Sequence, residues 1–256
     1  MGVIGEPYFK NLRDLGGLTC QDGRHIKSGK IYRSPKLYAD TPEAKQIIDD
    51  LHLDVIFDFR VPEEIKEYPD YVPEGVTYTV AEVYPGDAYP TIVVSKKAKL
   101  RAVLLLFKKG EAQRQIRTDK DNSYKAMPLS KAYNKVWEAM DQGLTFDFHC
   151  TEGKDRTGIC AAIIEYALGR DEEGIKEEYL YSNVCRPNKD RSWMGKYGVP
   201  DTMLSDFVHA ETTHLDLLKL SLDAVLEQYD SIDTYLAQHF GITADRMARW
   251  RDLYCE

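Results

Sequence analysis

Between Phe148 and Gly158 the chain reads Phe-His-Cys-Thr-Glu-Gly-Lys-Asp-Arg-Thr-Gly. Cys150 and Arg156 enclose five residues there, a spacing suited to a strand-to-helix turn wrapped around an anion. The N–H groups of such a loop point inward, and the helix that follows adds the positive end of its dipole. Arg156 offers a planar fork to two phosphate oxygens, which a lysine cannot match. At the centre of that positive field Cys150 is expected as the thiolate, its nucleophilic form. Thr157 can donate its hydroxyl to that thiolate and later to the departing sulfur. Gly153 and Gly158 allow tight turning and close backbone approach. The chemistry implied is in-line attack of Cys150 on a phosphomonoester, giving a cysteinyl-phosphate that water then hydrolyses. Backbone amides and Arg156 would stabilise the equatorial oxygens, so neither metal nor cofactor is expected. The plain alternative, a small buried cysteine beside a surface arginine, leaves the other residues of this register unexplained.

The elements that must position this loop can be read on either side of it. Leu144 to Phe148 is a short strand running into His149-Cys150, and Thr157 to Leu168 an apolar helix stopped by Gly169. Upstream, Lys30–Ser34, Asp54–Arg60 and Val76–Val80 read as strands. Thr41-Pro42-Glu43 reads as the cap of a helix that carries Ala44, Ile47, Ile48 and Leu51. Ser95 to about Arg117 has a helical stripe, followed by an Asp/Asn/Ser-rich loop over Thr118 to Tyr124. Next comes a helix with Leu129, Ala132, Tyr133, Val136, Trp137 and Met140, ended by Gly143. Downstream, helices are expected over Glu172 to Val184, around Asp201 to Leu226, over Ile232 to Phe240, and after Thr243. Strands with interspersed helices and then helices alone predict an α/β fold in a single domain, residues 1–256.

These motifs identify the chain as similar to the bacterial tyrosine-phosphatase-like family with an HCxxGKDRTG loop, within the cysteine-dependent protein tyrosine phosphatase superfamily. The resemblance extends to Asn11-Leu12-Arg13-Asp14-Leu15-Gly16-Gly17, Ile31-Tyr32-Arg33-Ser34, Asp58-Phe59-Arg60 with Glu64, Glu178-Tyr179-Leu180, and the stretch from Tyr235 to Gly241. It implies a mostly parallel sheet flanked by helices, with a helical lid-like insertion. It implies Cys150 as nucleophile, Thr151, Glu152, Gly153, Lys154, Asp155 and Arg156 around the phosphate, and His149 holding the loop. Arg13, Asp58 and Thr157 would support it. Expected substrates are phosphotyrosine on protein or peptide, and also phosphoserine/threonine and phosphoinositides.

The proton donor is open on sequence. The Trp-Pro-Asp tripeptide of better-known tyrosine phosphatases is absent. The resemblance points to Asp155, although Arg156 beside it favours the charged carboxylate. Asp58, Asp87, Asp119 and Asp121 are contenders, and Asp155 could instead be a structural acceptor for Arg13 or Arg33. Glu152 stands where relatives often have a small residue, and a carboxylate on the rim would repel further phosphates. Lys154 pulls the other way as a ligand for a second phosphate, or else is a solvated loop lysine.

Composition narrows the remaining classes. The net charge is −8, a poor prior for nucleic-acid binding. Yet residues 95–117 hold eight basic side chains against Glu111, a local +7 that reads as a cationic lid over the loop or as a solvated helix face. No apolar run, Val103 to Phe107 included, is long enough for a transmembrane helix. The five scattered cysteines suggest a reducing compartment, so a cytoplasmic protein is expected unless a leader preceded Met1. A non-catalytic phosphate-binding module would use the same cradle; the presence of both Cys150 and Arg156 favours the enzyme.

Overall fold

The computed structural model describes residues 2–83, 112–186, 208 and 211–256, with backbone alone for 112–117. Within them five strands form one sheet: β1 (Arg13–Asp14), β2 (Ile31–Ser34), β3 (Val55–Asp58), β4 (Thr77–Val80) and β5 (Phe146–His149). Their order is β1-β2-β5-β3-β4. The β2–β5, β5–β3 and β3–β4 pairs are parallel, and β1 lies antiparallel on β2. The sheet is therefore mostly parallel with helices around it, the α/β arrangement expected.

Every residue of β2, β3 and β5 is buried, as parallel strands covered on both faces require. Alternate residues serve different cores. Ile31, Val55, Phe57, Phe146 and Phe148 face a large cluster with Trp137, Ile159, Trp250 and Tyr254. Tyr32 and Ile56 face a smaller one with Phe9, Leu12, Leu37 and Ile48. Ser34 and Asp58 both register opposite His149, so the carboxyl ends of three strands finish side by side. A crevice at the carboxyl ends of such strands is where open α/β sheets bind ligands.

The helices are α1 (Pro42–Asp49), α2 (Pro62–Glu67), α3 (Ala112–Ala126), α4 (Asn134–Asp141), α5 (Arg156–Ala167), α6 (Glu172–Cys185), α7 (Leu215–Leu226), α8 (Ile232–Phe240) and α9 (Ala244–Tyr254). The Thr41 hydroxyl accepts from Ala44 N at 3.2 Å, confirming the cap read from Thr41-Pro42. α5 is apolar nearly all round because the domain packs around it; even its Glu165 is buried, paired with Arg170 at 3.0 Å.

Two expectations fail locally. Thr118–Tyr124 is not a loop but part of α3. Tertiary packing overrides its polar composition: Tyr124 is fully buried, the Ser221 hydroxyl of α7 donates to Tyr124 O at 2.6 Å, and Lys120 Nζ donates to Thr212 O at 3.0 Å. The helix expected from Leu129 to Met140 breaks into two 3₁₀ turns, Met127–Leu129 and Lys131–Tyr133, before α4. Pro128 and the Ser130 hydroxyl, which accepts from Ala132 N, restart the chain there. The cationic stretch 95–117 lies outside the described residues as far as 111, and Asp201 to Phe207 lies outside them too. Among the described residues no helix is long and apolar enough to cross a membrane.

Candidate active site

Cys150 follows β5 directly and is 2% exposed. The loop after it is shaped by Gly153, whose φ is +68°; a Cβ there would sit 2.3 Å from the Ser34 carbonyl oxygen. Asn11 Nδ2 donates to Glu152 O and Gly153 O at 3.1 and 3.0 Å, and Arg33 Nη2 donates to Gly153 O at 2.8 Å. Peptides are planar and trans. The N–H groups of Gly153 and Lys154 therefore point away from Asn11 and Arg33, the orientation an anion cradle needs.

The backing is itself anchored. Arg33 Nη1 meets Glu178 Oε2 at 2.5 Å, and Arg13 Nε donates to Glu178 Oε1 at 2.7 Å. Arg13 also donates to the Asn11 side-chain oxygen at 2.6 Å, which fixes the amide so that its nitrogen faces the loop. Glu178 stays ionised below the usual carboxylate range, because its two arginines outweigh its burial. Arg33 and Arg186 both lie within electrostatic reach of the Cys150 sulfur.

Arg156 opens α5. Its guanidinium is clamped by Glu64 of α2, Nη1 to Oε2 at 2.8 Å and Nη2 to Oε1 at 2.9 Å, and it also donates to Phe59 O at 3.2 Å. The Thr151 hydroxyl donates to the same Glu64 carboxylate. Burial pushes Glu64 up, but Arg156 and Thr151 hold its carboxyl at about 2. The plane of the fork is thus set before any ligand arrives.

Beneath the loop His149 Nε2 lies 3.2 Å from Asp70 Oδ2, and His149 Nδ1 lies 3.8 Å from Asp58 Oδ1. Burial would discharge the imidazole, yet Asp70 and Asp58 prevail and raise it to about 9. Arg60 bonds both carboxylates, at 2.7 Å to Asp58 and 2.5 Å to Asp70, and Tyr78 donates to Asp58 at 2.5 Å. Donor atoms of Asp58, Asp70 and His149 fall within 4.8 Å of one another, and the Arg60 guanidinium takes the place beside the carboxylates that a cation would need. Asp147, one strand position before Phe148, is pushed up to about 7 by burial.

Asp155 occupies the N-cap position of α5, but its side chain makes no capping bond. Its Oδ1 accepts from the Tyr124 hydroxyl at 2.6 Å, and that hydroxyl accepts from Tyr179 at 2.9 Å. Lys154 Nζ is 3.5 Å from Oδ2 and Lys120 Nζ 4.0 Å from Oδ1. Burial would raise the carboxyl, but Lys154, Lys120 and Tyr124 together hold it below its ordinary value. The Asp155 side chain is about a quarter exposed.

Residues 7–256 match the tyrosine phosphatase family. The chain belongs to the tyrosine phosphatase family. A Cupriavidus necator protein whose name proposes a tyrosine-protein phosphatase is 27% identical over 236 residues, which cover 89% of this chain and 80% of that protein. The triple specificity protein phosphatase PtpB of Mycobacterium tuberculosis is 24% identical over 205 residues, 73% of this chain and 71% of that one. The crystal structure of P. aeruginosa TpbA in complex with pTyr is a looser match, 14% identical with a TM-score of 0.32, covering 86% of this chain and 97% of that one. The chain is accordingly a phosphatase, an enzyme that dephosphorylates phosphotyrosine.

Within this phosphatase the structure brings Cys150, Thr151, Gly153, Asp155, Arg156 and His149 to one end of the sheet. Thr157 is buried there, and its hydroxyl has no hydrogen-bond partner among the described residues. Three expectations change. Glu152 is not a bare repulsive carboxylate, because Arg186 pairs with it. Lys154 is not solvated: it is buried and donates to Glu211 O at 2.7 Å. Arg13 and Arg33 are partnered by Glu178, not by Asp155. Asp58 is fully buried under the loop, where Arg60 and Tyr78 donate to it and His149 lies beside it. Asp119 and Asp121 ride on α3, and Asp87 lies outside the described residues. Sequence reasoning gave no role to Asn11, Glu64, Tyr124 or Glu178. Three of these stood inside quoted motifs, but their partners are 92 to 165 residues away along the chain. Tyr124 carried no signal except its aromatic ring within a polar stretch.

Proposed function

We propose that the phosphatase, acting as one catalytic domain over residues 1–256, uses Cys150 as its nucleophile and holds the transferring phosphate in the loop from Thr151 to Arg156. The observation that carries this reading is the pre-set Arg156: a guanidinium at the start of α5, oriented by Glu64, beside a loop whose carbonyls are drawn away by Asn11 and Arg33. Catalysis then rests on positioning and on donors aimed at charge that develops in the transition state. Cys150 displaces the phenolate in line, and a proton reaches the leaving oxygen from Asp155. A bound phosphate dianion supports that role, since its charge offsets Lys154 and Arg156 and favours the protonated carboxyl. The Thr157 hydroxyl, buried and without a hydrogen-bond partner among the described residues, can donate to the sulfur when it leaves the phosphocysteine.

The substrate reading centres on phosphotyrosine in protein or peptide. The name of the mycobacterial relative, triple specificity, is the reason to test phosphoserine/threonine as well. Phosphoinositides have less support, because Lys154 already serves Glu211 O and Arg186 serves Glu152. Cys150→Ser is expected to abolish turnover of an aryl phosphate while orthophosphate or a phosphopeptide still binds. Wild-type turnover in that variant would overturn the assignment. Initial rates on phosphotyrosine, phosphoserine and phosphothreonine peptides and on phosphoinositide vesicles, compared at matched concentration, decide the substrate class.

A further inference from the structure

An aspartate at a helix N-cap ordinarily bonds the N–H groups of the first turn, which stabilises the helix. Asp155 has that position and does not use it. Its carboxyl turns instead to the fully buried Tyr124, whose hydroxyl donates to Oδ1 at 2.6 Å and accepts from Tyr179 at 2.9 Å. Tyr124 comes from α3 and Tyr179 from α6, so two elements remote in sequence supply one hydroxyl chain, whose Tyr124 end donates to the carboxylate. Both phenols are raised above their ordinary range by burial, so they remain donors throughout the working pH range.

We propose that the Tyr179–Tyr124 hydroxyl chain is a positioning device for Asp155, which engages Oδ1 so that the transferable proton resides on Oδ2 and faces the leaving group. The proposal rests on the reading of Asp155 as the proton donor. In the first step Cys150 Sγ bonds to phosphorus as the bond to the leaving oxygen breaks; that oxygen keeps the electron pair and takes the proton from Oδ2. The carboxylate left behind is already solvated on Oδ1 by Tyr124. In the second step it takes a proton from the attacking water, and the sulfur leaves as the thiolate. The groups facing Asp155 are Lys154 and Arg156 on its own segment, Lys120 and Tyr124 on α3, and Tyr179 on α6. The lysines and Arg156 favour the carboxylate by charge. The tyrosines act by direction as well as by stabilising it, which separates their role from general electrostatics.

The test is a pair of ring-preserving variants, Tyr124→Phe and Tyr179→Phe, beside Asp155→Asn, each assayed across pH on two aryl phosphates with poor and good leaving groups. General acids contribute roughly 10²–10⁴-fold, and loss of orientation should remove part of that. Tyr124→Phe is expected to lower kcat on the poor leaving group about tenfold with KM unchanged, to leave the good leaving group within about twofold, and to move the basic limb of the profile to higher pH. The direction follows from removing a donor that favours the ionised form. Tyr179→Phe should shift the same way by less, and Tyr124→Phe added to Asp155→Asn should have no further effect. If Asp155→Asn suppresses the poor leaving group while Tyr124→Phe keeps the wild-type limb and leaving-group dependence, the tyrosine proposal is wrong and the proton-donor reading stands. If Asp155→Asn itself leaves the poor leaving group unaffected, the proton-donor reading fails first.

Discussion

The sequence reads Arg156 as a phosphate ligand, and among the described residues its guanidinium bonds include those to Glu64, Phe59 and Thr151. The clamp removes the rotational freedom of a long side chain in advance, so less entropy is lost when an oxyanion binds. Replacing Glu64 by Gln keeps the shape and removes the charge that fixes the fork. We expect kcat/KM on an aryl phosphate to fall by roughly 10²-fold, the scale of an ångström-sized misplacement, and inhibition by orthovanadate to weaken in parallel. Unchanged values for both would show that the loop alone orients Arg156. At this scale the sequence was readable where function sits in consecutive residues: His149 to Gly158 form a local turn, and spacing along the chain reports it. Glu64, Asn11 and Glu178 were present in motifs but mute, because side-chain partnership across 92 or more residues leaves no periodicity to detect.

At the scale of elements, the loop works because it passes so close to the end of β2 that only a glycine fits at position 153. A side chain there would meet Ser34 O at 2.3 Å and also require a left-handed backbone. Gly153→Ala therefore demands movement of β2 or of the loop, and neither can move without breaking the Asn11 and Arg33 bonds. The expected outcome is a loss of about 3 kcal/mol or more in denaturant unfolding, with activity lost even in the folded fraction. Gly158→Ala is the contrast. Its Cβ would approach the Tyr179 ring at 3.1 Å, a side chain able to give, so the destabilisation should be clearly smaller. Equal stability losses in the two variants would contradict the packing argument. The strands and the apolar α5 were legible from pattern, since burial imposes composition. α3 was not. Its Asp, Asn and Ser residues favour a loop locally, and what makes the stretch helical is contact with α7, which lies about ninety residues further on.

Across the whole molecule, the charges that matter are mostly inside. Two buried systems underlie the loop: Arg13, Arg33 and Glu178 on one side, and His149, Asp58, Asp70 and Arg60 on the other. The net charge of −8 therefore says little about the field at Cys150, within electrostatic reach of Arg33 and Arg186. The price of such burial is dependence on pH. His149 is raised to about 9 in the fold, against about 6.5 for an unperturbed histidine. Between those values the folded protein keeps a proton that the unfolded chain has released, so unfolding free energy falls as pH rises. The contribution is complete below about pH 6.5, is lost progressively toward pH 9, and amounts to about 3 kcal/mol. Glu64 acts in the opposite direction at the acid end: held at about 2, it lends stability that disappears as pH drops below about 4. Urea unfolding of the wild type should accordingly weaken from pH 6.5 to 9.5, and His149→Gln, less stable at pH 6.5, should lack that slope. A variant with the wild-type slope would mean that the protons released above pH 7 come from elsewhere, and that Asp58 and Asp70 do not hold the imidazolium beneath the catalytic loop.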